Sequence, residues 1–107
     1  MTPAQTRALR TVAQSDGPVR MSALADQLGI ARRSTTDIVG ELVERGLAAR
    51  VADPSDGRGV AVELTDEGRE LLGRLTAGRR AATESLLAAL TPPERDQLAA
   101  LLRHLLP

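Results

Sequence analysis

The chain has 107 residues, with 14 basic and 14 acidic side chains, no Cys and no aromatic residue. That length suits one modest core, which Leu, Ile, Val, Met and Ala must fill by themselves. The absent residues exclude disulfides, thiolate metal sites, thiol redox chemistry and base stacking on aromatic rings.

The formal charge of zero gives no global attraction to a polyanion, so a nucleic-acid site has to come from local arrangement. Every basic residue except His104 is Arg, which alongside the abundant Ala and Gly reads first as genomic composition. Arg7 and Arg10 interrupt Thr6–Val12, so the opening residues do not read as a signal peptide. No apolar run is long enough to span a membrane. A cytoplasmic location is the expectation.

Thr2 followed by Pro3 is a helix start, and Ala4, Ala8, Leu9, Val12 and Ala13 recur at helical spacing until Asp16-Gly17-Pro18 stops the run. "VRM" at 19–21 is a short extended piece. Ser22 is expected to cap a helix holding Ala23, Leu24, Ala25 and Leu28, closed by Gly29. The next helix runs from after Ile30 to about Arg45, buries Thr35, Ile38, Val39 and Leu42, and ends at Gly46. Two helices joined by a short Gly-containing turn make a helix-turn-helix pattern.

Leu47 to Val51 and Val60 to Leu64 alternate apolar with small or polar residues around the turn-rich "DPSDGRGV", which predicts a hairpin. A helix-turn-helix leading directly into a hairpin is the winged-helix order. Thr65 caps the following helix, Asp66 and Glu67 suit its positive end, and its stripe continues to Leu90. Thr91-Pro92-Pro93-Glu94 is a capping box that opens a last helix bearing Leu98, Leu101, Leu102, Leu105 and Leu106. These leucines exceed what so small a winged helix can cover, and an apolar patch of this kind marks an interface. Homodimerisation is the simplest reading, with Leu86, Leu87, Leu90, Leu98, Leu101, Leu102 and Leu105 as its residues.

"MSALADQLGIARRSTTDIVGELVERGLAAR", "DPSDGRGVAVELTDEG" and "LTPPERDQLAALLRHLL" together resemble the MarR family of bacterial winged-helix repressors across nearly the whole chain. The D-x-R of Asp56 to Arg58 and the L-T-x-x-G of Leu64 to Gly68 carry the likeness most specifically. The resemblance implies a homodimer on a pseudo-palindromic double-stranded operator, released by a small anionic or phenolic effector. It also implies a recognition helix in the major groove and a wing Arg in the minor groove.

Carried over by position, Arg32, Arg33, Ser34, Thr36 and Asp37 lie on the recognition-helix surface, and Arg58 is the wing-tip Arg with Asp56 positioning it. Three departures stand out. Family members usually carry a further N-terminal interlocking helix, whereas the first helix here matches their second, so a weaker dimer is expected. Asp37 stands where a basic or neutral residue is common. Ala31 replaces the usual polar cap, at a cost of about 1 kcal/mol.

Each residue also has a plainer reading. Arg32 and Arg33 could be a solvated face, but Arg in the first turn opposes the helix macrodipole, and that cost favours a contact with guanine or phosphate. Asp37 either pairs with a neighbouring Arg or accepts from a cytosine amino group. Arg50 either reaches a phosphate or pairs with Asp53 or Asp56. Arg58 is either a charge that wets a hairpin tip or a minor-groove probe. Arg79 and Arg80 are a solvated face or an inter-subunit pair, and lone His104 lacks partners at metal spacing.

No nucleophile–base–orienter set exists, so no catalytic residue, metal or cofactor is expected. The fold expected is mainly α, a winged helix-turn-helix with a two- to three-stranded β-wing and C-terminal dimerisation helices. Residues 1–65 form the DNA-binding region and 66–107 the helical dimerisation region of one compact domain. The leading function is a sequence-specific DNA-binding regulator. The alternatives are an interaction module that pairs with a longer regulator, and a small-molecule-sensing dimer.

Overall fold

The computed structural model describes residues 1–106 as five helices and a three-stranded antiparallel sheet. In chain order these are α1 (Pro3–Ala13), β1 (Val19–Arg20), α2 (Met21–Leu28), α3 (Arg32–Glu44), β2 (Ala48–Ala52), β3 (Val60–Leu64), α4 (Asp66–Ala88) and α5 (Pro92–Leu105). The winged helix-turn-helix order is therefore present as expected. Two compact units result, Met1–Gly73 and a second from Arg74 onward.

In the first unit β3 is the central strand, with β1 on one side and β2 on the other. Val19 faces Val62 across one pair of strands, and Arg50 faces Val62 across the other. The core gathers Leu9 and Val12 from α1, Leu24 and Leu28 from α2, Val39 and Leu42 from α3, and Val62 and Leu64 from β3. With no ring available, these aliphatic side chains exclude water by themselves, at roughly 1.5–3 kcal/mol for each fully buried side chain.

Local chemistry explains the helix ends. The Thr2 hydroxyl accepts from the Gln5 amide while Gln5 Oε1 accepts from the Thr2 amide, a reciprocal capping box ahead of α1. Gln5 is buried in α1, whereas Ala4 and Ala13, expected in its apolar stripe, are exposed. Its amide Nε2 donates to Glu41 Oε2 at 2.5 Å, and its Oε1 also accepts from Arg45. A polar residue thus ties α1 to α3 where an apolar stripe was expected.

Ser22 is not the cap of α2. The helix starts at Met21, directly from β1, with Arg20 at the cap position making no side-chain bond to the helix end. Pairing of Val19 and Arg20 with β3 fixes where the strand ends, and Met21 packs against the core from the helix's first position.

At the end of α3, Gly46 adopts φ 73° and the Leu47 amide reaches back to the Leu42 carbonyl at 2.9 Å. That closing bond is why β2 begins at Ala48 and not at Leu47. Thr65 joins α4 to this corner: its hydroxyl donates to the Gly46 carbonyl at 2.7 Å and accepts the Gly68 amide at 3.0 Å.

The second unit holds the rest of α4 and all of α5. Thr91 and Glu94 form the expected capping box, and Arg95 Nε donates to the Leu87 carbonyl at 2.9 Å. No residue of α5 is buried. Leu86, Leu101, Leu102 and Leu105 are exposed, while Leu87, Leu90 and Leu98 are half-buried. Among the described residues no helix is long and apolar enough to cross a membrane.

Candidate nucleic-acid interface

The second helix of the helix-turn-helix, α3, is anchored by one face and free on the other. Thr35, Val39 and Leu42 are buried, and the Thr35 hydroxyl is satisfied by the Ala31 carbonyl at 3.1 Å. Three- and four-residue spacing then turns Arg32, Arg33, Ser34, Thr36 and Asp37 outward, and all five are exposed. Ala31 provides no side-chain cap and the first turn carries no acid. The leading N–H groups and two guanidinium groups therefore share one positive helix end. The Thr36 hydroxyl donates to the Arg32 carbonyl at 2.9 Å, which leaves its lone pairs outward.

Asp37 makes no ion pair with a neighbouring Arg, so the first of its two readings is not what the structure has. Arg20 pairs instead with Asp53, and Arg69 with Asp66. Arg50 pairs with neither Asp53 nor Asp56. It is exposed on β2 with its guanidinium lying across α3, 3.5 Å from where a side chain at Gly40 would start. Asp53 is unavailable to it because the carboxylate is buried and already faces Arg20.

The wing is built from two consecutive Asp-centred turns. At its base the Asp53 amide donates to the Gly59 carbonyl at 3.1 Å. Asp53 Oδ1 accepts from the Ser55 amide at 2.9 Å and the Ser55 hydroxyl at 2.8 Å. At the tip Asp56 Oδ1 accepts from the Arg58 amide at 3.1 Å, and the Asp56 carbonyl accepts from the Gly59 amide at 3.0 Å. Asp side chains that bond the backbone two residues onward replace ladder bonds in this way. Arg58 is exposed and unpaired, its backbone held by Asp56.

Asp53 is the residue that sequence reasoning left out of the site, although "DPS" is itself a turn signal. The two Ser55 hydrogen bonds hold its carboxyl below the usual carboxylate range, with a smaller contribution from the Arg20 charge, against the opposing effect of burial. It is therefore a carboxylate at any neutral pH.

Among the described residues no cluster of His, Asp and Glu could hold a metal ion. The exposed Arg32, Arg33, Ser34 and Thr36 of α3 and Arg58 at the wing tip offer donors suited to polyanion contact, beside the acceptor Asp37.

Comparison with known proteins places this arrangement. A sequence model of the MarR family matches residues 1–59. An HTH-type transcriptional repressor of Mycobacterium tuberculosis is 33% identical over 97 residues, covering 91% of this chain and 69% of that protein. The transcriptional repressor MprA of Escherichia coli K12 is 32% identical over 93 residues, covering 87% of this chain and 53% of MprA. A mutant MarR from Escherichia coli superposes with a TM-score of 0.83 at 27% identity, covering all of this chain and 79% of that one. The chain spans about half the length of some curated relatives it matches, from 53% to 56% of MprA and of a Bacillus subtilis regulator. With the winged helix-turn-helix order, the D-x-R wing and these matches in agreement, the chain belongs to the MarR family.

Proposed function

We propose that this protein is a transcriptional regulator, a repressor by likeness to its relatives, that binds a pseudo-palindromic double-stranded operator as a homodimer. The observation that carries the reading is the uncapped, acid-free first turn of α3, with exposed Arg32 and Arg33 on a helix locked to the core by its other face. Two such helices about one helical turn apart, ~34 Å, would read two half-sites. Arg32, Arg33, Ser34 and Thr36 supply major-groove and phosphate contacts, with Arg50 toward the backbone. Arg58 enters the minor groove from a tip that Asp56 organises. Exposed and unpaired, Asp37 is left to accept from a cytosine amino group.

The test is fluorescence anisotropy with the protein's own upstream DNA at low and moderate salt. Wild type should bind with an affinity that falls steeply as salt rises, because phosphate neutralisation dominates. Arg58→Ala should weaken binding about tenfold, chiefly where the site flanks are A·T-rich and the minor groove narrow. Salt-insensitive or absent binding by the wild type would sink the regulator reading, whereas indifference to Arg58→Ala would remove the wing from it.

Dimerisation through the second unit is supported by its leucines. Leu101 and Leu105 are 63% and 79% exposed, so a second copy rather than this chain's own core is the cover they lack. Leu101→Glu with Leu105→Glu should halve the mass found by light scattering and leave the helical content unchanged. A wild type that is monomeric at tens of micromolar would contradict the dimer.

The family resemblance also implies a small anionic or phenolic effector. The cleft of about 220 Å³ in the first unit is lined by Asp16 and Glu63 against Arg69. Two carboxylates against one guanidinium disfavour an anionic guest there.

A further inference from the structure

The pair formed by Arg20 and Asp53 lies apart from the groups that face DNA in the reading above. Asp53 has a side chain 2% exposed, yet it sits at the base of a loop whose other residues, from Pro54 to Arg58, are all exposed or nearly so. A carboxylate that dry needs partners. Its Oδ1 has two, both from Ser55. Its Oδ2 accepts no aligned hydrogen bond and lies 2.5 Å from Arg20 Nε, so the guanidinium charge is what faces it.

Arg20 comes from the other side of the sheet, because β3 separates β1 from β2. Room for the carboxylate comes from Gly59, where a Cβ would lie 3.2 Å from Oδ2 and 3.3 Å from the Asp53 Cβ. The contact therefore joins the start of the wing, its end and the strand that leads into the helix-turn-helix.

We infer that Arg20 and Asp53 form a latch that sets the position of the wing tip, making Asp53 a positioning residue for Arg58 in DNA binding. The inference rests on the DNA-binding reading above and deepens it. A turn held only by its own Asx bonds could pivot about its two stalks. The ion pair to β1 fixes the first turn to the sheet, and the second turn, which carries Arg58, follows directly from it. Arg20 keeps 54% of its side chain in solvent while serving the latch, so it can give up the contact without exposing core.

The test is a pair of double-mutant cycles on the full chain with the same upstream DNA. Asp53→Asn keeps an acceptor for Ser55 and removes the charge that Arg20 faces. Binding should weaken about tenfold, as for Arg58→Ala, and the double variant Asp53→Asn with Arg58→Ala should be no weaker than Arg58→Ala alone. Arg20→Gln should repeat that pattern, and Arg20→Lys should restore most of the affinity; these variants keep the cycle readable if Asp53→Asn does not fold.

Hydrogen exchange should quicken at the Arg58 and Gly59 amides of Asp53→Asn and stay unchanged in α3. Losses that add fully to that of Arg58→Ala would overturn the latch, as would Asp53→Asn and Arg20→Gln both binding like wild type. Absent binding by the wild type defeats the DNA reading and this inference together. The latch alone fails when wild type binds, Arg58→Ala weakens it, and the two latch variants do not.

Discussion

Gly68→Ala should destabilise the first unit by about 2 kcal/mol or more, although alanine is the better helix former. Gly68 stands in the first turn of α4, where replacing Gly by Ala ordinarily gains up to about 1 kcal/mol. Here a Cβ would lie 2.0 Å from the Leu47 carbonyl oxygen and 3.0 Å from its carbon. Both are backbone atoms that cannot rotate away.

The same carbonyl accepts the Thr65 amide at 3.2 Å, and Thr65 accepts the Gly68 amide in turn. Restoring van der Waals distance therefore pulls α4 from the Gly46–Leu47 corner and strains the bonds that seat it. Overpacking of this kind costs about 1–3 kcal/mol and at times more, which outweighs the propensity gain. Gly73, later in the same helix, has nothing within 4 Å of its notional Cβ, so Gly73→Ala should act in the opposite direction. Thermal unfolding at fixed protein concentration should show Gly68→Ala melting about 10 °C below wild type and Gly73→Ala slightly above it. Two glycine variants that move together would mean that α4 does not approach Leu47 this closely.

That glycine also shows what a sequence can and cannot disclose. Most signals that act within one turn of chain were legible, Ser22 excepted, because the strand pairing of Val19 and Arg20 set the start of α2. Thr2-Pro3, Thr91 with Glu94, and Gly46 after α3 each decide a helix end through bonds to residues three to five positions away. The alternation around "DPSDGRGV" likewise placed both strands to within a residue.

Contacts between distant segments were not legible. Gln5 reads as a polar interruption of α1 until Glu41, 36 residues on, is seen to accept from it. Arg20 reads as an exposed strand residue and Asp53 as one more turn acid, because their meeting depends on β3 lying between their strands. For the same reason the acids nearest to Arg50 in sequence stood as one of its two readings, although Asp53 was already taken. The exposed face of α3 was legible because helical periodicity alone fixes it once Thr35, Val39 and Leu42 are assigned to the core. For the leucines of α5 periodicity gives the stripe, and the chain's own contacts bury none of it.

The second large effect belongs to that exposed face. Arg32→Ala with Arg33→Ala should lower DNA affinity at least 100-fold while leaving the protein as stable as before, or slightly more so. Each Arg contact to a guanine edge or a phosphate is worth about 1–3 kcal/mol, and a tenfold change in affinity corresponds to about 1.4 kcal/mol. Removing both side chains from each recognition helix therefore weakens binding by two decades or more. The stability effect has the opposite sign for a local reason. Neither side chain is buried or ion-paired, and both place positive charge at the positive end of α3, which an alanine relieves by a few tenths of a kcal/mol.

Salt dependence separates the two kinds of interaction. If the pair grips phosphates, the slope of log affinity against log salt should become shallower by about 1 for each phosphate no longer neutralised. If it reads guanines, the slope should hold while discrimination against altered half-sites falls. Circular dichroism melts run beside the anisotropy series check the stability half. A variant that binds as tightly as wild type would show that α3 does not carry the DNA interaction, and a variant that loses stability with binding would show that these two residues serve the fold instead.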